Sequence, residues 1–95
     1  MIEPNKWQYV GDWKLVIGGL NPDFWNGDHK LIEMFGDWWH SPKRAIRWTA
    51  TELGKVMHFN AYGYKTLIIW EHELKQPELV IKKITQFVGE KQNGH

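Results

Sequence analysis

The hexapeptide "KTLIIW", residues 65–70, constrains the fold more than any other stretch of the chain. A nearly continuous apolar run of this length suits a strand covered on both faces, because a strand with one wet face would alternate polar and apolar residues. Covering both faces requires a layer above the sheet and another below it. The segment that follows supplies one of them. Pro77 opens a helix on which Val80, Ile81, Ile84, Phe87 and Val88 form one apolar stripe.

The remaining elements follow from turn signals. "WQYV" (7–10) and "WKLVI" (13–17) read as short strands joined at Gly11 and Asp12, and "GGLNP" reads as a loop. "DFW" and "HKLIEMF" read as two more strands around Asn26-Gly27, a strong hairpin signal. Ser41 as N-cap and Pro42 in the first turn open a helix that runs to about Ala61 and is ended by Gly63. Gly54 inside it costs about 1 kcal/mol relative to alanine. Strands, helix, strand, helix predict an α/β fold: a mixed sheet of about four to five strands, its helix-linked strands parallel, flanked by two helices.

The 95 residues suit a single domain over 1–95, with a polar tail at 91–95 expected to fray. At 42% hydrophobic residues the chain can build a core, which argues against disorder. The absence of cysteine excludes a disulfide framework, a thiol nucleophile and cysteine-ligated zinc, and fits a reducing cytoplasmic location. No apolar run reaches the roughly 18 to 20 residues of a membrane span. With a net charge of +1, any surface for nucleic acid must come from local arrangement.

Such an arrangement is expected on the long helix. Advancing about 100° per residue from Ile46 gathers Thr49, Leu53, Val56, Met57 and Asn60 into a core stripe. Lys43, Arg44, Arg47, Lys55 and His58 fall on the opposite side with Thr51, and no acid interrupts them. That side is either an ordinary solvated face or a stripe that meets phosphates. Glu52 lies on the border.

Two acids stand in the strands. Glu33 sits within "KLIEMF", where burying a carboxylate costs several kcal/mol unless it is paired or bound to metal; the alternative is an edge strand with Glu33 in water. Asp23 follows Pro22, as a turn residue or as a partner of Glu33. Hairpin parity connects them. A two-residue turn at Asn26-Gly27 would send the two side chains to opposite faces, whereas a three-residue loop over 26–28 would pair Trp25 with His29 and put both acids on one face as diagonal neighbours; only an odd loop or a bulge lets both reach one ion. Acids on neighbouring strands beside a basic helix suit a hard divalent cation and a phosphodiester. His40 could then take a proton from the attacking water or act on the leaving group.

"NPDF", "KLIEMFGDWWH", the helix carrying Glu52 and "GYKTLIIWEHEL" together resemble the very-short-patch-repair endonucleases, and more closely the related phage and homing endonuclease domains of the restriction-endonuclease-like superfamily. The resemblance covers residues 7–75. It implies Mg²⁺-dependent cleavage (one or two ions) of a phosphodiester in double-stranded DNA. It further implies Asp23 as a metal ligand and His40 as the group acting on the attacking water, with Glu52 orienting that histidine or a metal-bound water. The next metal ligand is either the Glu33 carboxylate or the Met34 backbone carbonyl. Glu71 and His72 of "WEHEL" fix the strand end or support the metal site from outside, and Asp37 is either such a support or a turn residue. Trp38 and Trp39 match an aromatic pair pushed into the DNA stack, one of them packing in the core and the other facing DNA.

Repair members carry a cysteine-built zinc site. The cysteine-free chain therefore resembles the phage or homing branch, and no zinc is expected. The family's glutamate on a helix before the first strand has no clear counterpart ahead of Trp7: either that helix is missing from this sequence, or Glu3 or a partner chain substitutes. A homodimer or a separate DNA-binding domain is expected to supply the rest of the site recognition. The alternatives to an endonuclease are a non-catalytic DNA-binding or assembly module with an incomplete site, and a hydrolase of another phosphate ester.

Overall fold

The computed structural model describes residues 7–37 and 47–89. Four strands form one mixed sheet in chain order: β1 (Gln8–Tyr9), β2 (Phe24–Trp25), β3 (Lys30–Phe35) and β4 (Lys65–Trp70). β1 pairs β2, and β2 pairs β3, antiparallel; β3 pairs β4 in parallel, from Lys30 opposite Lys65 to Phe35 opposite Trp70. Among the described residues two α-helices complete the α/β fold, α1 (Glu52–Asn60) between β3 and β4 in sequence and α2 (Pro77–Gly89) after β4.

The sheet separates two apolar cores, because successive side chains of a strand point to opposite faces. On one face Leu31 meets Phe59 of α1 and Ile17 from the connection between β1 and β2. On the other, Ile32 and Ile69 meet Phe87 of α2. The doubly covered strand expected from "KTLIIW" is therefore β4. β3 is covered as well, and Met34 is its one half-buried residue. Lys30 is also buried. Its ammonium donates to the carbonyls of Phe87 (2.7 Å) and Val88 (3.0 Å), the last turn of α2, where unpaired carbonyls and the helix dipole favour a cation.

Two segments depart from the expected elements. Residues 13–17 are not a strand. Residues 11–14 turn, Trp13, Gly18 and Gly19 adopt positive φ, and Ile17 and Leu20 make only an isolated bridge. The alternation there is real, since Leu15 and Ile17 reach the core, but the side chain of Asn21 rather than a neighbouring strand satisfies the Leu15 carbonyl.

The long helix is also shorter than expected. Its anticipated start at Ser41 and Pro42 lies outside the described residues, while residues 48–50 form a single 3-10 turn and α1 begins at Glu52. Thr51 is the N-cap, its hydroxyl accepting from Gly54 N at 3.0 Å. Gly54 explains the break: a Cβ there would collide with the carbonyl group of Trp48. The glycine is therefore a backbone contact and not a weak point in a long helix. With the helix broken, the phase counted from Ile46 does not carry over. Leu53 and Met57, placed in the core stripe, point to solvent at 60% and 54% exposure, while Phe59 is fully buried. On α2, Val80, Ile84 and Phe87 pack inward as expected, but Ile81 and Val88 are exposed.

Candidate functional site

One end of the sheet collects most of the chemistry. β3 and β4 run in parallel, so their C-terminal ends lie side by side, and β2, antiparallel to β3, starts at that same end. Asp23 precedes β2, Glu33 is near the end of β3, and Asp37, Glu71 and His72 follow the two strand exits. α1 also starts there, since the Trp70 indole donates to Glu52 Oε1 at 2.8 Å.

The hairpin loop decides the relation between the two acids. Trp25 pairs with Leu31 and Phe24 with Ile32, so the next position outward sets Asp23 opposite Glu33. Asn26 N donates to the Lys30 carbonyl and the Asn26 side chain accepts from Asp28 N and Lys30 N, which closes a loop over residues 27–29. An odd loop keeps both acids on one face. The pairing is two residues further along β3 than a loop over 26–28 would give, so the acids are direct partners and not diagonal neighbours. Each carboxylate then bonds the other strand's backbone: Asp23 N donates to Glu33 Oε2 at 3.2 Å, and Met34 N donates to Asp23 Oδ2 at 2.8 Å.

Glu33 is 4% exposed, which rules out the edge-strand alternative. Burial, then the hydrogen bond and charge of Asp23, push its carboxyl up to about 8, with Lys55 opposing. Lys55 Nζ stands 3.4 Å from Glu33 Oε1, an ion pair by distance rather than a formed hydrogen bond, so Oε1 is buried without a hydrogen-bond partner. The ammonium also lies over the Phe35 ring, 5.9 Å from its centroid. Among the described residues, Arg47, Lys55 and His58 of the expected basic stripe do not share one outward helix face. Lys55 points to the acids, His58 faces the Ile17 carbonyl at 3.1 Å, Arg47 is exposed ahead of the 3-10 turn, and Lys43 and Arg44 lie outside the described residues. Phe59, one turn on from Lys55, could have set the helix phase correctly in place of Ile46.

The residues that could hold a divalent metal are the two acids, of which Glu33 keeps one buried oxygen without a hydrogen-bond partner; the Lys55 ammonium already faces that oxygen. Mg²⁺ commonly uses one or two carboxylates and leaves its other positions to water and phosphate oxygens. Among the described residues no third acid or histidine joins Asp23 and Glu33 to close a cage.

Asp37 and His72 form a second cluster. Asp37 Oδ1 lies 2.7 Å from His72 Nδ1, and Asp37 N donates to Glu71 Oε1 at 3.2 Å. The hydrogen bond from His72 holds the Asp37 carboxyl below the usual aspartate range. These bonds tie the exit of β3 to that of β4. His40, Trp38 and Trp39 lie outside the described residues. An apolar cleft of about 410 Å³ under α2, lined in part by Met34, Ile69 and Leu74, opens on the face of the sheet away from the acids.

Among the described residues no helix is long and apolar enough to cross a membrane. Comparison with protein-family models, with curated proteins and with solved structures finds no match for the chain.

Proposed function

We propose that the chain is a Mg²⁺-dependent endonuclease domain that hydrolyses a phosphodiester of double-stranded DNA, intracellular and of the phage or homing type. The observation that carries the reading is the Asp23–Glu33 cross-strand pair with Lys55 against it. It converges with the resemblance of "NPDF" and "KLIEMFGDWWH" to very-short-patch-repair-like endonucleases. Asp23 and Glu33, with the Met34 carbonyl as a further donor, would hold the metal, which when bound polarises the phosphate and an attacking water. Lys55, 3.4 Å from Glu33 Oε1, would add positive charge beside the acids where the pentavalent phosphate accumulates negative charge. His40 is assigned the proton from water, and Glu52, fixed by the Trp70 indole, its orientation. Arg47, with Lys43 and Arg44, is assigned to the DNA backbone, and a second copy or a separate DNA-binding region to most of the sequence recognition.

A second reading draws on the same geometry. Each carboxylate accepts from a backbone N–H of the other strand, one carboxyl is protonated near neutral pH and Lys55 stands beside it, so the pair could be a polar knot in a non-catalytic DNA-binding or assembly module. Nicking of supercoiled plasmid separates the two. The endonuclease reading expects nicking with Mg²⁺, none in EDTA, and loss of activity in Asp23→Asn. If wild type and variant cut equally little across a wide range of protein concentrations while both bind plasmid, the catalytic reading is withdrawn in favour of the second.

A further inference from the structure

We propose that Trp13 is a pre-set stacking platform for a nucleobase of the polynucleotide substrate. The inference rests on the reading of the chain as a DNA-acting domain and adds a contact on a loop outside the acid pair.

Trp13 combines two unfavourable features. Its φ is 70°, in the left-handed region that bulky side chains avoid, and its side chain is 68% exposed. An exposed indole recovers little burial energy to offset the backbone strain, and a glycine would serve the turn better. Such strain persists only where the surroundings over-determine it. Here Asn21 does so. Its carbonyl oxygen accepts from Trp13 N at 3.2 Å, and its amide nitrogen contacts the carbonyls of Val10 and Leu15, each at 2.6 Å. One side chain thus closes both ends and the middle of the turn.

The turn also belongs to the site. Asn21 stands one residue before Pro22, a fully buried residue, and two before Asp23. The turn leaves β1 at Val10, whose N–H bonds the Asp23 carbonyl at 2.7 Å. The "NPD" segment therefore carries a metal-facing acid at one end and the staple of the aromatic turn at the other, linked by a residue of fixed φ. The turn leaves β1 at the sheet end where Asp23 enters β2, with Tyr9, 56% exposed, packed beside it at Gly11.

The chemistry favours a base over a phosphate. Lys14, the cation of the turn, is paired with Asp12 at 3.4 Å, so the turn presents an aromatic plane and little net charge. Every nucleobase has a π-face, and stacking on an exposed aromatic ring tolerates any sequence. The base it takes would be one unpaired or unstacked near the cleaved phosphate.

The test uses the full chain, with Ca²⁺ replacing Mg²⁺, and a labelled duplex containing one unpaired base. Trp13→Gly removes the ring and the strain together. It is expected to weaken binding about tenfold, while its thermal midpoint matches or exceeds that of wild type. Trp13→Tyr, which keeps an aromatic ring, is expected to stay within about threefold of wild type. The dependence of affinity on salt should be the same in all three, because stacking releases no counterions. Affinity of Trp13→Gly within twofold of wild type, or Trp13→Tyr as weak as Trp13→Gly, overturns the proposal while leaving the endonuclease reading intact. Failure of wild type to bind the duplex removes the DNA-acting reading and the platform with it.

Discussion

Asp23 and Glu33 hold each other's strands: the backbone N–H of Asp23 donates to the Glu33 carboxylate, and the Asp23 carboxylate accepts from the N–H of Met34. The pair is both a cross-strand clasp and a set of two hard oxygen ligands. Asp23→Asn keeps an acceptor for Met34 N and removes the charge. It should therefore fold and lose Mg²⁺-dependent nicking on the order of 100-fold or more. Circular dichroism and a plasmid assay measure the two effects, and a folded variant with undiminished nicking would falsify the metal-ligand role.

The raised Glu33 carboxyl makes stability depend on pH. The folded chain holds this proton up to about 8, against an ordinary value of 4.5. A group that binds its proton more tightly when folded contributes stability that is complete below the ordinary value and is lost as pH rises through the folded value. In the absence of divalent cations, stability should therefore fall between pH 4.5 and pH 8, by an amount on the order of a few kcal/mol. Urea unfolding in EDTA across that range should show the fall in wild type and a flatter profile in Glu33→Gln. Equal slopes in the two proteins would mean that another group is responsible.

Lys55 acts on the same proton with the opposite sign, because its charge favours ionised Glu33. Lys55→Met should extend the pH-dependent loss of stability above pH 8 and reduce nicking about 10- to 100-fold. A variant that cuts normally and weakens DNA binding alone would return Lys55 to a phosphate-contacting role.

Lys30 is expected to be purely structural. Its ammonium satisfies the Phe87 and Val88 carbonyls at the end of α2, on the sheet face away from Glu33. Lys30→Met preserves most of the apolar stem and orphans those carbonyls, for a cost of about 2 kcal/mol. Guanidinium unfolding should register this loss, with nicking at low temperature unchanged.

Gly54→Ala tests the break ahead of α1. In an unbroken helix the substitution would stabilise by about 1 kcal/mol. With the Trp48 carbonyl group where the new Cβ must go, it should instead destabilise by about 2 kcal/mol or more. The sign of the shift in thermal midpoint decides between the two geometries.

How far the sequence reached is clearest at particular residues. "KTLIIW" and the stripe of Val80, Ile84 and Phe87 needed only the hydrophobic period, and β4 and α2 lie where that period placed them. Asn26-Gly27 announced a hairpin without specifying its loop, because one residue more or less exchanges the faces of every side chain beyond it. The opposition of Asp23 and Glu33 was therefore settled by the hydrogen bonds of Asn26 and the pairing of β2 with β3. Lys55 shows the same limit. Basic residues spaced along a continuous helix read as one outward stripe, but a contact between Gly54 and the Trp48 backbone resets the helix phase and turns Lys55 toward Glu33. Local chemistry determined which elements form and which acids stand in them. Tertiary structure alone decided which side chains meet, because register and helix phase are set by contacts between residues distant in the chain.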